Sequence, residues 1–171
     1  MKKPDFSRRD MPTQEFAASG SNVEFAEAYR VALRLLGIKP RTEHEILIRI
    51  MEKYSSETAA RVIALLRHYQ YIDDERYALD YCHERMSYGY GNNRIRMELK
   101  NRGVEDSIIN RAIGNVCLGN EMPRIAQSVL DKRYPDGVSQ DIKGRQKQYG
   151  FLLRRGFDTD TIERVLNAGG Q

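Results

Sequence analysis

The strongest chemical signal in the chain is unbalanced positive charge. Residues 142–157 contain Lys143, Arg145, Lys147, Arg154 and Arg155 and no Asp or Glu. Lys143, Lys147 and Arg154 recur at helical spacing, so they share one stripe of a helix. Like charges four residues apart cost an isolated helix about 0.2–0.5 kcal/mol per pair. An anionic partner relieves that cost, so the pattern points to binding a polyanion. A second cluster spans residues 85–103, where Arg85, Arg94, Arg96, Lys100 and Arg102 face a single acid, Glu98. Glu98 can pair with Arg94 or Arg102 at i±4. Arg96 and Lys100 lie on a different stripe with no such partner. Tyr88 and Tyr90 stand beside this cluster, where they can stack on nucleobases or plug the gap between structural repeats. Each basic residue, taken singly, also reads as part of a solvated face.

Other chemistries find no support. The turn Gly89-Tyr90-Gly91 lacks the lysine and the preceding strand that a phosphate-cradling loop requires. His44, His68 and His83 are scattered without a second metal ligand at helical spacing, and His83 diverges from its neighbour Cys82. Asp73, Asp74 and Glu75 sit at a helix start, which explains them better than a nuclease carboxylate cluster does. Cys82 and Cys117 cannot build a disulfide framework and read as small buried hydrophobes. No catalytic residue, metal or cofactor is expected.

These side chains must be held by helices. The chain has 171 residues, 28 Lys plus Arg against 24 Asp plus Glu, and a net charge of +4. Hydrophobic residues make up 40 % and there is no Trp, so the core must be thin and spread along the chain. No apolar run reaches the roughly 18–20 residues of a membrane span, and no apolar h-region follows the N-terminus. The expectation is a cytoplasmic protein. Residues 1–22, with the basic pairs Lys2-Lys3 and Arg8-Arg9, read as a disordered tail. Strand-like alternation is absent.

Nine helices are expected. The first runs from about Glu24 to Leu36 with Gly37 after its end. Thr42-Glu43-His44-Glu45 forms a capping box for the second, which turns Ile46, Ile50 and Met51 inward. Ser55 or Ser56 opens the third, with Ala59, Val62, Ile63, Leu66 and Tyr69 at core spacing. Asp73 caps the fourth, which runs to about Met86. The others lie near 93–101, 106–115, 121–133, 141–155 and 158–167. Leu99-Lys100-Asn101-Arg102-Gly103-Val104 matches Leu152-Leu153-Arg154-Arg155-Gly156-Phe157, and Ile109–Ile113 matches Ile162–Leu166. The first copy has Tyr54 or Ser55 where the glycine should stand. The period is on the order of 50 residues, typical of helical repeats. The expected fold is all-α, an elongated array of three tandem three-helix repeats at 23–70, 71–118 and 119–171. Such arrays expose a long surface suited to an extended partner.

With these residues assembled, the chain resembles the RecX family of bacterial recombination regulators over about residues 24–168. Pro40-Arg41-Thr42-Glu43-His44-Glu45-Ile46 is similar to the family's opening signature, with Thr and Ile as mild substitutions. Tyr71-Ile72-Asp73-Asp74-Glu75-Arg76-Tyr77-Ala78, then Arg85, then Gly89 to Val104 resemble its glycine–Arg-Ile–Glu-Leu–Gly core in order and spacing. Phe151-Leu152-Leu153-Arg154-Arg155-Gly156-Phe157 is similar to its third-repeat motif. The resemblance implies a non-enzymatic modulator of the RecA recombinase; the chain itself is expected to be monomeric. It implies binding along the groove of the RecA–single-stranded DNA filament and lowered ATP hydrolysis and strand exchange, acting in DNA repair and the SOS response. Some members also bind DNA directly, which brings single-stranded and double-stranded DNA in as partners. Without the resemblance, the residues stop at a basic helical-repeat binding protein. Two other readings stay open: a free-standing helical DNA-binding protein, and a protein-interaction scaffold without nucleic acid.

Overall fold

The computed structural model describes residues 20–117 and 121–168. Among them lie nine α-helices and no strand: α1 (Gly20–Ile38), α2 (Glu43–Met51), α3 (Ser56–His68), α4 (Asp74–Ser87), α5 (Asn92–Asn101), α6 (Asp106–Val116), α7 (Glu121–Arg133), α8 (Ile142–Arg154) and α9 (Thr159–Ala168). Residues 1–19 of the expected tail lie outside the described residues. Its last residues are already helical, because α1 begins four residues before Glu24. Gly37 lies inside α1 rather than after it. No described helix is long and apolar enough to cross a membrane.

Side-chain caps set most helix starts. Thr42 Oγ1 accepts from the Glu45 N–H at 3.2 Å, Ser55 Oγ from Thr58 at 3.2 Å, and Asp73 from Arg76 at 2.9 Å. Asp141 accepts from Gly144 at 2.8 Å and Asp158 from Thr161 at 2.7 Å. Each removes an orphan donor from a first turn. The Thr42 box closes on one side only, since the Glu45 carboxylate turns to Arg102 at 2.8 Å instead of reaching back.

The helices pack as two compact units. One comprises the described residues up to Tyr77 with Arg102–Val104, the other Ala78–Asn101 and the residues from Glu105. In the first unit α1 packs on α3 and α2 on α3. Phe25, Ala28 and Ala32 of α1 meet Ile46 and Ile50 of α2 and Val62, Ile63 and Leu66 of α3 in one core. Met51 and Tyr69, both expected inward, are exposed. Each lies at or beyond the last turn of its helix, where the apolar stripe has run past the facing element. In the second unit α5 packs on α6, α7 on α9 and α8 on α9. Ile95, Leu99, Ile109, Leu130, Leu152 and Ile162 are fully buried there.

One joint is built twice. In the first unit Thr42 Oγ1 donates to the Arg102 carbonyl at 2.6 Å. Gly103 then lies against His44, and a Cβ there would come within 2.2 Å of the ring. In the second unit the Gly91 N–H donates to the Arg155 carbonyl at 2.9 Å and the Asn93 N–H to the Gly156 carbonyl at 3.0 Å. A Cβ on Gly156 would fall 2.3 Å from Arg94 Cβ and 2.5 Å from its backbone nitrogen. Gly103 and Gly156 have φ of +75° and +88°, left-handed values that suit glycine. Tyr54 has no positive φ; its N–H donates to the Ile50 carbonyl at 3.1 Å, so α2 ends without the left-handed step.

Candidate nucleic-acid interface

The two basic clusters have opposite fates. In the second unit Arg85 of α4 grips Glu98 of α5 with two hydrogen bonds of 2.7 Å. Arg94 adds a third at 2.9 Å, and the Tyr81 hydroxyl donates to the same carboxylate at 2.9 Å. Glu98 is 18 % exposed and Arg85 22 %. Burial works against the charged carboxylate, but the bonds from Arg85, Arg94 and Tyr81 outweigh it and hold its pKa below the ordinary glutamate value. Arg96 and Lys100, expected without partners on their own stripe, find them on α6. Arg96 donates to Asn110 at 2.5 Å, and Lys100 pairs with Asp106 at 3.1 Å. Arg102 goes to Glu45 rather than Glu98.

Tyr90 belongs to this cluster. Its half-buried ring has the Arg85, Arg94 and Arg155 guanidinium carbons at 4.2, 4.4 and 5.4 Å from its centroid. Three cations on one quadrupole fix the ring in place. Arg155 also donates to the Tyr88 carbonyl at 2.9 Å and the Gly89 carbonyl at 3.2 Å. Tyr88 is 60 % exposed.

On α8 the charge is open. The Lys143, Lys147 and Arg154 side chains make no hydrogen bond or ion pair among the described residues, and all three residues are exposed. At 100° per residue they fall within an arc of about 40°, with Gly150 between them. The adjoining strip carries Ile142, 77 % exposed, and Leu153, 48 % exposed. Arg145 is not part of this face. It donates to the Leu166 carbonyl at 3.2 Å and to Asn167 at 2.9 Å, where a cation suits the C-terminal end of α9.

Sequence reasoning missed the basic face of α7. Arg124, Ser128 and Lys132 stand four residues apart on one exposed stripe, with Arg133 nearby. They edge a groove of about 690 Å³ that Tyr88, Ile125, Val129 and Phe151 also line. The i, i+4, i+8 spacing was there to be read. Its meaning depends on the Tyr88-Gly89 turn, which is distant in sequence and meets α7 only because Gly89 lacks a side chain, as a Cβ there would lie 2.3 Å from Val129.

The cysteines are not reactive centres. Cys82 is buried and burial pushes its thiol up to about 11. Cys117 is only half-buried, less than expected, and its Sγ lies 3.0 Å from Asn92 Oδ1. Burial raises its pKa as well.

Comparison with known proteins matches the chain to three family models in tandem. They are the first three-helix domain of RecX over residues 28–66, the second over 73–113 and the third over 121–166. A regulatory protein RecX of Mycolicibacterium smegmatis is 31 % identical over 92 % of this chain and 87 % of its own length. One of Caldanaerobacter subterraneus subsp. tengcongensis is 26 % identical over 93 % of this chain and 79 % of its own. The crystal structure of RecX from Lactobacillus salivarius superposes with a TM-score of 0.77 at 21 % identity, covering 85 % of this chain and 96 % of that one.

Proposed function

The chain belongs to the RecX family of regulatory proteins, a family of regulators and not of enzymes, and from that premise we propose that it binds the RecA–single-stranded DNA filament along its groove and lowers RecA ATP hydrolysis and strand exchange. The observation that carries this reading is the open cationic stripe Lys143, Lys147 and Arg154 on α8. Its apolar neighbours Ile142 and Leu153 decide between partners. A helix that reads phosphates alone has no use for two exposed aliphatic side chains. A nucleoprotein surface, which offers acidic and apolar protein groups beside phosphates, matches both strips. That favours the filament over naked duplex DNA.

Inhibition follows from attachment at several points. Successive modules on one chain reach adjacent RecA protomers, and linked weak contacts give avidity beyond any single one. Holding neighbouring protomers in one arrangement slows nucleotide turnover at the interface between them. The protein thereby acts in DNA repair and recombination and tempers the SOS response.

The test adds the pure protein to RecA on single-stranded DNA and follows ATP hydrolysis. The expected result is a fall at stoichiometric ratios. The triple variant Lys143→Glu, Lys147→Glu, Arg154→Glu should lose that effect. If the stripe neutralises three phosphates, the variant's binding should also show a log–log salt slope shallower by about 2. No change in hydrolysis with the unaltered protein overturns the reading.

A further inference from the structure

The groove along α7 joins surplus positive charge to apolar surface. Arg124, Lys132 and Arg133 line it with a single acid, Glu121, which lies a loose 3.8 Å from Arg124. Arg155 lines it too, but its guanidinium is taken up by the Tyr88 and Gly89 carbonyls. Lys132 makes no hydrogen bond or ion pair among the described residues, and Arg133 only lies over the Tyr134 ring at 5.7 Å. Arg124, Lys132 and Arg133 are all exposed. From Arg124 to Lys132 the cationic rim runs about 12 Å, at 1.5 Å of rise per residue. Ile125, Val129 and Phe151, each half-buried, give the groove its apolar lining.

We propose that this groove docks an acidic peptide segment of a partner protein, with carboxylates on Arg124, Lys132 and Arg133 and a large apolar side chain against Ile125, Val129 and Phe151. Charge complementarity selects an anionic occupant, since three exposed cations face one acid. The apolar lining selects its class. A peptide carries carboxylates and aliphatic or aromatic side chains on one chain. In extended form it rises about 3.3 Å per residue, so acids four residues apart span the rim from Arg124 to Lys132. A nucleic-acid strand carries a phosphate at every step, one of which would meet Glu121, and it offers the aliphatic lining no side chain. A peptide can place a neutral residue at that end. The Tyr88-Gly89 turn is already clamped by Arg155, so docking against it freezes little. The inference goes beyond the filament reading, because it concerns a different face from α8 and needs neither recombinase nor DNA.

The experiment titrates a fluorescein-labelled peptide with the full chain in low salt, without RecA or DNA, and reads anisotropy. The peptide has about ten residues, enough to overrun the rim at both ends when extended, with a Leu-Phe pair between two blocks of Glu and Asp. The unaltered protein should bind it. The same peptide with Ser in place of Leu and Phe should bind about tenfold or more weakly, the factor expected for one buried apolar side chain. The triple variant Arg124→Glu, Lys132→Glu, Arg133→Glu should lose binding, with unchanged helical circular dichroism as proof of folding. The α8 triple variant should keep its peptide affinity while losing the effect on RecA, which separates the two sites. Unlabelled peptide should displace the label at lower concentration than an oligothymidylate of equal charge. Absence of binding by the unaltered protein overturns the proposal, as does undiminished binding by the groove variant. Equal affinity for the two peptides overturns it by marking the groove as a merely charged surface. Stronger displacement by the oligothymidylate overturns it by marking the groove as a nucleic-acid site.

Discussion

The basic residues of α5 and those of α8 read alike along the chain, yet they do opposite work. Around α5, Arg85 and Arg94 share Glu98, Lys100 takes Asp106, and Arg96 takes Asn110. That charge is spent on holding α4, α5 and α6 together. On α8 the Lys143, Lys147 and Arg154 side chains make no hydrogen bond or ion pair among the described residues. Charge counted along a sequence therefore does not measure the charge available to a partner. What decides is whether an acid on another helix comes within reach, and only the three-dimensional packing shows that.

The largest effect belongs to the joint that brings Arg155 to the Tyr90 cluster. Gly156→Ala must accept a φ of +88° and a Cβ 2.5 Å from the Arg94 backbone nitrogen. Left-handed backbone costs about 1–2 kcal/mol for a residue with a side chain, and a collision with main chain adds to it. A loss of about 3 kcal/mol and a fall of roughly 10 °C in the thermal midpoint are expected. A midpoint within about 2 °C of the unaltered protein would show that the joint is soft and the cluster not tightly built.

Next comes Glu98→Gln, which leaves Arg85 and Arg94 without their anion. Removing one partner of a part-buried charged network costs about 2 kcal/mol, readable as a lower urea midpoint. The α8 triple reversal, by contrast, should leave that midpoint within about 0.5 kcal/mol, as surface changes do. Equal losses in both variants would erase the distinction between the two clusters.

Acid separates them further. The Glu98 pKa is lowered on folding, so the unfolded chain binds the extra proton and stability rises with pH across the window. The contribution is complete above the ordinary carboxylate value of about 4.5 and is lost as pH falls below it. Denaturation midpoints taken from pH 6 down to pH 3 should drop more steeply for the unaltered protein than for Glu98→Gln. Asp74, raised by burial, contributes with the opposite sign and is common to both.

Much of the fold was legible because its signals are local. Caps at Thr42, Ser55, Asp73 and Asp158 and the two Arg-Gly joints are spelled out within a few residues. The misreadings come where a distant partner decides. Glu45 looked like the return half of a capping box, but Arg102 takes its carboxylate. Gln148 sits where the matching helices α2 and α5 carry Ile46 and Ile95, a polar residue at a core position that nothing near it in the sequence explains. It is 2 % exposed, because its amide donates to the Gly137 carbonyl at 2.8 Å and accepts from the Ser139 N–H at 3.1 Å. The interface followed the same rule. The α8 stripe is a property of one helix and could be seen. The pairing of the α5 cations and the groove beside Tyr88 are properties of several segments and could not.

The smallest expected effect tests the open stripe itself. Gly150 lies between Lys147 and Arg154, and its added Cβ would meet only Arg154 Nη1, at 3.3 Å, the movable end of a long side chain. Glycine within a helix costs about 0.5–1 kcal/mol relative to alanine. Gly150→Ala should therefore raise the urea midpoint by that amount, the reverse of Gly156→Ala, though both replace a glycine beside an arginine. If the partner touches only the charged heads, the same variant should inhibit RecA as well as the unaltered protein does. A more stable variant with weakened inhibition would mean that the partner comes down onto the bare α8 backbone, and that the glycine is kept at some cost in stability to let it approach.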